Sequence, residues 1–262
     1  MKSPPIIVVD IGNTSTSLAI ARGGAISRVR QMDTCSQTSR NIRRQLLALT
    51  AGQGSGGAAL GSVVPAKTGP WLTALKSCTG RQPLLINHRL QLGLRLDYPR
   101  PKTIGADRLA NACAAAERYG PPVVVADFGT ALTFDVVARQ RVYQGGIIVA
   151  GLPLMTHYLA TQTALLPHVN LSSWSAAARQ KPAIGKSTAQ AIRIGARWGY
   201  LGMVREIFNL LRQSLKEPRL KLCATGGYAG WVLQGAGLKV SLDPHLTLRG
   251  LSLIYDLNQT GR

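Results

Sequence analysis

Ile6-Ile7-Val8-Val9-Asp10-Ile11-Gly12-Asn13-Thr14-Ser15-Thr16-Ser17 is the stretch on which the fold turns. An apolar, β-branched run that ends at an Asp predicts a strand buried on both faces. Gly12 and Asn13 predict a tight turn, and Ser17 to Ile20 predicts an antiparallel return strand. The same unit recurs 117 positions later, as Val125-Ala126-Asp127-Phe128-Gly129-Thr130 followed by a β-rich run from Thr133 to Val137. A unit found twice predicts two similar α/β halves with a cleft between them. The halves are expected to meet near residue 118, as 1–118 and 119–262.

The segments around these units extend the pattern. Gly52 to Gly57 reads as a loop, and Ala58 to Val64 as a further buried strand. Gly105 to Tyr119 carries Leu109, Ala112, Cys113 and Ala116 at helical spacing, with Asp107 in the first turn and Gly120-Pro121-Pro122 as its stop. Thr188 to Leu215 predicts a long amphipathic helix with Ile192, Gly195, Trp198, Gly202 and Ile207 toward one side. Lys221 to Ala224 predicts a short strand running into a third glycine turn, Thr225-Gly226-Gly227.

Composition narrows the classes. Of 262 residues, 45% are hydrophobic and 16% charged, which predicts a globular chain. No uncharged apolar stretch approaches the ~18 residues of a membrane span, and the Ile6–Val9 run is too short for a secretory signal core. The four cysteines are scattered without zinc-ligand spacing, as expected of reduced thiols in a cytoplasmic protein. The net charge of +20 favours polyanions and anionic metabolites alike. Its basic residues are dispersed without aromatic interleaving, so nucleic acid is expected to bind non-specifically if at all.

Three glycine turns at strand ends suit a nucleotide. A glycine lets backbone N–H groups approach phosphate oxygens, and Asn13 and Thr14 add side-chain donors. Asp10 is suited to a hydrated Mg²⁺, which keeps several waters and uses one or two carboxylates. Gly105-Ala106-Asp107-Arg108 supplies acid–base chemistry. A carboxylate at a helix start is held ionised by the free N–H groups and can take a proton from a hydroxyl. Arg108 beside it can pair with a substrate carboxylate. The four histidines have no metal-ligand spacing.

The ordered set of motifs resembles the type III pantothenate kinase family, which includes proteins described as Bvg accessory factors. It runs through Asp10-x-Gly-Asn-Thr, Tyr98, Gly105-Ala-Asp-Arg, Asp127-Phe-Gly-Thr-Ala with Thr133-Phe-Asp135, Gly145-Gly146, Leu166-Pro167 and Ile184-Gly-Lys-Ser-Thr188. Thr225-Gly-Gly and Asp243-Pro-His-Leu complete it. The resemblance implies an α/β fold of the acetate-and-sugar-kinase/Hsp70/actin type, with two ribonuclease-H-like domains, and a homodimer. It implies ATP, Mg²⁺ and a monovalent cation (K⁺ or NH₄⁺), with pantothenate as acceptor. Asp10, Ile11, Gly12, Asn13, Thr14, Ser15, Thr16 and Ser17 would form a phosphate loop, and Thr130 would contact ATP. Asp107 would be the general base. Tyr98, Gly105, Ala106, Asp107, Arg108 and Thr188 would line the pantothenate site, and Asp127 would hold the monovalent cation.

The sequence departs from that pattern at Ser17, where relatives often carry Lys, at Ala150, where Pro is expected, and at Ser187, where Asn is usual. Two other classes remain open on sequence grounds. One is a regulatory nucleic-acid-binding protein on the same fold, favoured by the charge. The other is a metal-dependent nuclease, which would have no use for a nucleotide cradle.

Overall fold

The computed structural model describes residues 4–51, 54–169 and 183–259. Its elements, in chain order, begin with β1 (Ile6–Ile11), β2 (Ser15–Arg22), β3 (Ala25–Asp33), α1 (Ser39–Thr50), β4 (Ala58–Ser62), α2 (Pro65–Thr79), β5 (Leu84–Leu85) and β6 (Arg95–Leu96). There follow α3 (Ala106–Tyr119), β7 (Val123–Phe128), β8 (Ala131–Ala138), β9 (Val142–Ala150), α4 (Leu152–Thr161) and α5 (Thr188–Leu215). Last come β10 (Lys221–Thr225), α6 (Ala229–Ala236), β11 (Ser241–Leu242) and α7 (Leu246–Leu257). Contacts group the chain into two units, 1–123 with 135–145 and 245–262, and 124–134 with 146–244. Of the Gly52–Gly57 loop, residues 52 and 53 lie outside the described residues.

The first unit is built on a five-stranded sheet of order β3-β2-β1-β4-β5. β1 pairs antiparallel with β2 and parallel with β4, so Asp10 stands opposite Ser17 on one side and Gly61 on the other. Because side chains alternate along a strand, Ile7, Val9 and Ile11 share one face. There they join Ile42, Leu46 and Leu49 of α1 with Trp71 and Leu75 of α2 in one buried cluster. Trp71 is fully buried because its ring nitrogen donates to the Gln37 side chain at 2.7 Å. Val8 and Asp10 fall on the opposite face, the side of α3 and α7. α3 and α7 approach closely at Gly250, where any Cβ would run into the backbone of Ala110.

In the second unit β7 is buried from Val124 to Ala126, and Phe128 is buried as well. The six-stranded sheet has the order β11-β10-β7-β8-β9-β6, with β10 parallel to β11 and β6 parallel to β9, and of it β6, residues 135–138 of β8 and residues 142–145 of β9 count with the first unit. Helix α5 runs from Thr188 to Leu215 as expected, but it buries a different face from the one its sequence suggested. Its buried residues are Ala196, Tyr200, Leu201, Val204, Phe208 and Leu211, while Trp198 is half exposed. The aromatic ring of Phe134, inward on β8, decides this by taking Phe208 edge-on at 5.2 Å.

Candidate active site

The first phosphate-loop candidate is a hairpin turn between β1 and β2. The Gly12 amide donates to the Ser15 carbonyl at 3.0 Å, and a Cβ on Gly12 would press on that same oxygen. Thr34 ties the loop from behind, its hydroxyl donating to the Gly12 carbonyl at 2.8 Å and its amide to the Thr14 carbonyl at 2.9 Å. Thr16 is buried against Thr34, with their hydroxyls 2.9 Å apart, and Ile11 is buried too. Of Asp10 to Ser17, these two can therefore offer only backbone groups to a ligand. Asn13 and Thr14 are exposed at the tip, and Ser17 faces Asp10 across the hairpin.

Asp107 occupies the second position of α3. Gly105 precedes the helix without a side-chain cap, and its missing Cβ leaves the space into which the Asp107 carboxylate folds. That carboxylate accepts the Arg108 amide at 2.8 Å. Burial pushes the Asp107 carboxyl above its ordinary value, although the Arg108 amide and charge pull it back. The result is a carboxylate more basic than a solvated one, which is what a general base requires.

Gly61 on β4 brings Asp10 and the start of α3 together. A Cβ on Gly61 would stand 3.6 Å from the Ala106 Cβ and 3.8 Å from an Asp10 carboxylate oxygen, with Leu251 closing the back at 2.9 Å. The absent Gly61 side chain thus leaves the Asp10 carboxylate and the start of α3 around one shared space on the same face of β4. No sequence motif singled out this glycine, because its role arises only when β4 pairs with β1.

Behind Arg108 lies a buried polar network. Its guanidinium meets the Asp135 carboxylate at 2.6 Å, and the Tyr143 hydroxyl donates to the same oxygen at 2.7 Å. Asp135 has no exposed surface and Arg108 is 8% exposed, so both charges are withdrawn from water. Burial raises the Asp135 carboxyl to about 6, with Arg108 and the Tyr143 hydrogen bond opposing and the Asp107 charge adding to the rise. Burial works against the Arg108 charge, but Asp135 with Tyr143 and Tyr98 outweighs it, so the guanidinium stays protonated. Burial, with Asp135 beside it, raises the Tyr143 hydroxyl and keeps it a donor. The Tyr143 ring lies 6.1 Å from that of Tyr98, which rests on Gly145. Tyr98 and Gly105 to Arg108 lie in the first unit, and Thr188, expected with them, belongs to the second. Asp135 entered the sequence expectations only within the Thr133-Phe-Asp135 motif, without a role, and Tyr143 did not enter them.

The second unit holds the other turn. The Gly129 amide donates to the Ala131 carbonyl at 3.1 Å, as Gly12 does to Ser15. Two glycines clasp this turn. Gly226, with φ +93°, lies so close that a Cβ would stand 2.6 Å from the Phe128 backbone, and Gly151 donates its amide to the Thr130 carbonyl at 3.0 Å. The turn at Asp127-Phe128-Gly129-Thr130 and the Thr225-Gly226-Gly227 turn are therefore neighbours. Thr188 is the first residue of α5, and Ser187 serves as its cap by accepting the Gln190 amide at 3.3 Å. Serine performs that capping as well as asparagine, so the departure at 187 keeps the helix start.

Among the described residues no three His, Cys, Asp or Glu side chains gather as a metal-binding cluster. The partly exposed Asp10 instead fits an ion held chiefly by water and phosphate oxygens. No helix of the described residues is long and apolar enough to cross a membrane.

Comparison with known proteins accords with this geometry. A solved Campylobacter jejuni structure, described as a candidate transcriptional activator of the Baf family, matches with a TM-score of 0.59 at 18% identity, covering 97% of this chain and 99% of that one. A ROK family glucokinase from Streptomyces griseus matches with a TM-score of 0.53 at 16% identity over 98% of this chain and all of that one. These likenesses show the α/β fold of two ribonuclease-H-like domains shared by sugar kinases, Hsp70 and actin. A type III pantothenate kinase from Akkermansia muciniphila is 38% identical over 254 residues, 96% of this chain and 98% of its own. With the family model for type III pantothenate kinase matching residues 6–210 as well, the chain belongs to the type III pantothenate kinase family.

Proposed function

We propose that the protein transfers the γ-phosphate of ATP to pantothenate, forming 4'-phosphopantothenate at the first step of coenzyme A synthesis. The observation that carries the reading is Asp107. It is a largely buried carboxylate at the start of α3, more basic than a solvated one, and both Asp10 and Ala106 of that helix flank the open face of Gly61. In this reading Asp107 accepts the proton of the acceptor hydroxyl as the oxygen attacks phosphorus in line. Tyr98, Gly105 to Arg108 and Thr188 hold the acceptor. Backbone amides of the Asp10–Ser17 turn and the Thr130 hydroxyl hold phosphate oxygens, without the lysine that relatives often carry at position 17. Bound Mg²⁺, held by Asp10 through water, would neutralise charge on the phosphates. Asp127, with Gly129 beside its carboxylate, would hold K⁺ or NH₄⁺.

The protein would work in the cytoplasm as a homodimer. A groove of about 630 Å³ between α4 and α5, lined by Leu154, Met155, Tyr158 and Ile192, supports the dimer by leaving apolar surface to cover. Nucleic acid would bind only through the net charge of +20, and more weakly as salt rises. The test of the proposed base is Asp107→Asn, nearly isosteric. It should lower pantothenate-dependent kcat by about 100-fold or more while leaving the fold intact. Wild-type turnover in the folded variant would remove Asp107 from the chemistry.

A further inference from the structure

Asp135 and Tyr143 have no role in the reading above, yet they hold two of its residues. One Asp135 oxygen accepts both the Arg108 guanidinium, at 2.6 Å, and the Tyr143 hydroxyl, at 2.7 Å. The Tyr143 ring in turn lies against Tyr98. Strand pairing fixes this arrangement, since Leu96 pairs with Tyr143 and the Asp97 amide donates to the Tyr143 carbonyl at 2.9 Å. Tyr98, the next residue, therefore follows wherever β9 sits.

A buried ion pair is weak evidence for stability, because well-packed apolar residues of similar volume often serve as well. This pair is also incomplete as a structural device. Among the described residues Arg108 Nε is buried with no hydrogen-bond partner, which costs free energy unless something meets it. The Arg108 charge further acts on two carboxylates, Asp135, which its guanidinium meets, and Asp107, which accepts its backbone amide. With Asp135 neutral, the full positive charge would act on Asp107 and make it a poorer base.

We propose that Asp135, together with Tyr143, is a positioning residue for the phosphoryl transfer, fixing the Arg108 guanidinium beside Asp107 and, through the Tyr143 ring, the ring of Tyr98. A carboxylate with no exposed surface then governs acceptor binding without meeting the acceptor. The proposal rests on the reading of Arg108 and Tyr98 as acceptor-binding residues.

The experiment compares wild type with Asp135→Asn, Tyr143→Phe, Arg108→Ala and the double variant Arg108→Ala/Asp135→Asn in steady-state assays with pantothenate and ATP. Asp135→Asn should raise the KM for pantothenate about tenfold or more while that for ATP stays within about twofold. Tyr143→Phe keeps the ring and should move the pantothenate KM the same way by about threefold or more. If Asp135 acts through Arg108, the double variant should be no worse than Arg108→Ala alone, within about twofold. An unchanged pantothenate KM in both folded variants, equal losses for both substrates, or additive losses in the double variant would each overturn the proposal. Should Asp135→Asn fail to fold, Tyr143→Phe carries the test. Absence of pantothenate-dependent turnover in the wild type would instead overturn the functional reading, and the proposal with it.

Discussion

Gly145 gives its side-chain space to Tyr98: a Cβ at position 145 would stand 3.0 Å from the tyrosine ring. The glycine also holds φ +98°, a conformation that L side chains rarely adopt. Gly145→Ala therefore strains the backbone of β9 and displaces Tyr98 together. It should cost about 1–3 kcal/mol of stability and raise the pantothenate KM on the order of tenfold, because small misplacements near the chemistry are expensive. The KM for ATP should stay near wild type. Steady-state kinetics with each substrate varied in turn checks the split.

Gly226 does for the second unit what Gly145 does for the first. Its Cβ position lies 2.6 Å from three backbone atoms of Phe128, at φ +93°, and backbone cannot yield as a side-chain end can. Gly226→Ala should push the Asp127–Thr130 turn away from the Thr225–Gly227 turn, weakening ATP at least tenfold in KM. A thermal melt with and without ATP gives the second readout. The variant should gain less stability from saturating nucleotide than wild type does.

The buried carboxyls set opposite pH trends for stability and activity. Asp135 has an ordinary value of 3.8, raised to about 6 in the fold, and faces Arg108, Tyr143 and Asp107, with Tyr98 close to Arg108. Its protonated form favours the folded state, so that contribution is complete below pH 3.8 and is lost as pH rises through about 6. The Tm gap between wild type and Asp135→Asn should therefore shift in favour of wild type as pH falls from about 6 to about 4. Activity should run the other way. kcat/KM for pantothenate should fall below about pH 6, as Asp135 loses the charge that holds Arg108. A Tm gap that does not change with pH would contradict the assignment.

Asp127 leads to an ionic requirement. If it holds a monovalent cation beside the phosphates, turnover in potassium or ammonium buffer should exceed that in sodium-only buffer by tenfold or more, on the order expected for loss of a charge-stabilising contact. Asp127→Asn should abolish the difference. Equal rates in both buffers would remove the cation from the account.

The two glycine turns were legible in sequence because everything they need is local. An apolar β-branched run, an Asp, a Gly and a Thr stand within a few residues of one another in each copy. The start of α3 was legible for the same reason, through Asp107, and that of α5 through its amphipathic pattern, whereas the Ser187 cap came only with the structure. Gly61 and Tyr143 were not legible, since each gains its meaning from a strand partner far along the chain, and Asp135, quoted only within a motif, gains its own from Arg108 on α3. Gly61 matters because β4 lies beside β1, and Tyr143 because β9 lies beside β6. The buried face of α5 was misjudged on similar grounds. A helix with glycines at 195, 199 and 202 offers more than one apolar stripe, and Phe134 on a distant strand selects the one that includes Phe208.

The most direct measurement is ADP release by the purified protein with Mg²⁺ and potassium, with and without pantothenate. The account requires release that depends on pantothenate and forms one phosphopantothenate for each ADP. ATP consumption that pantothenate does not change, or none at all in a folded protein that binds ATP, would contradict it.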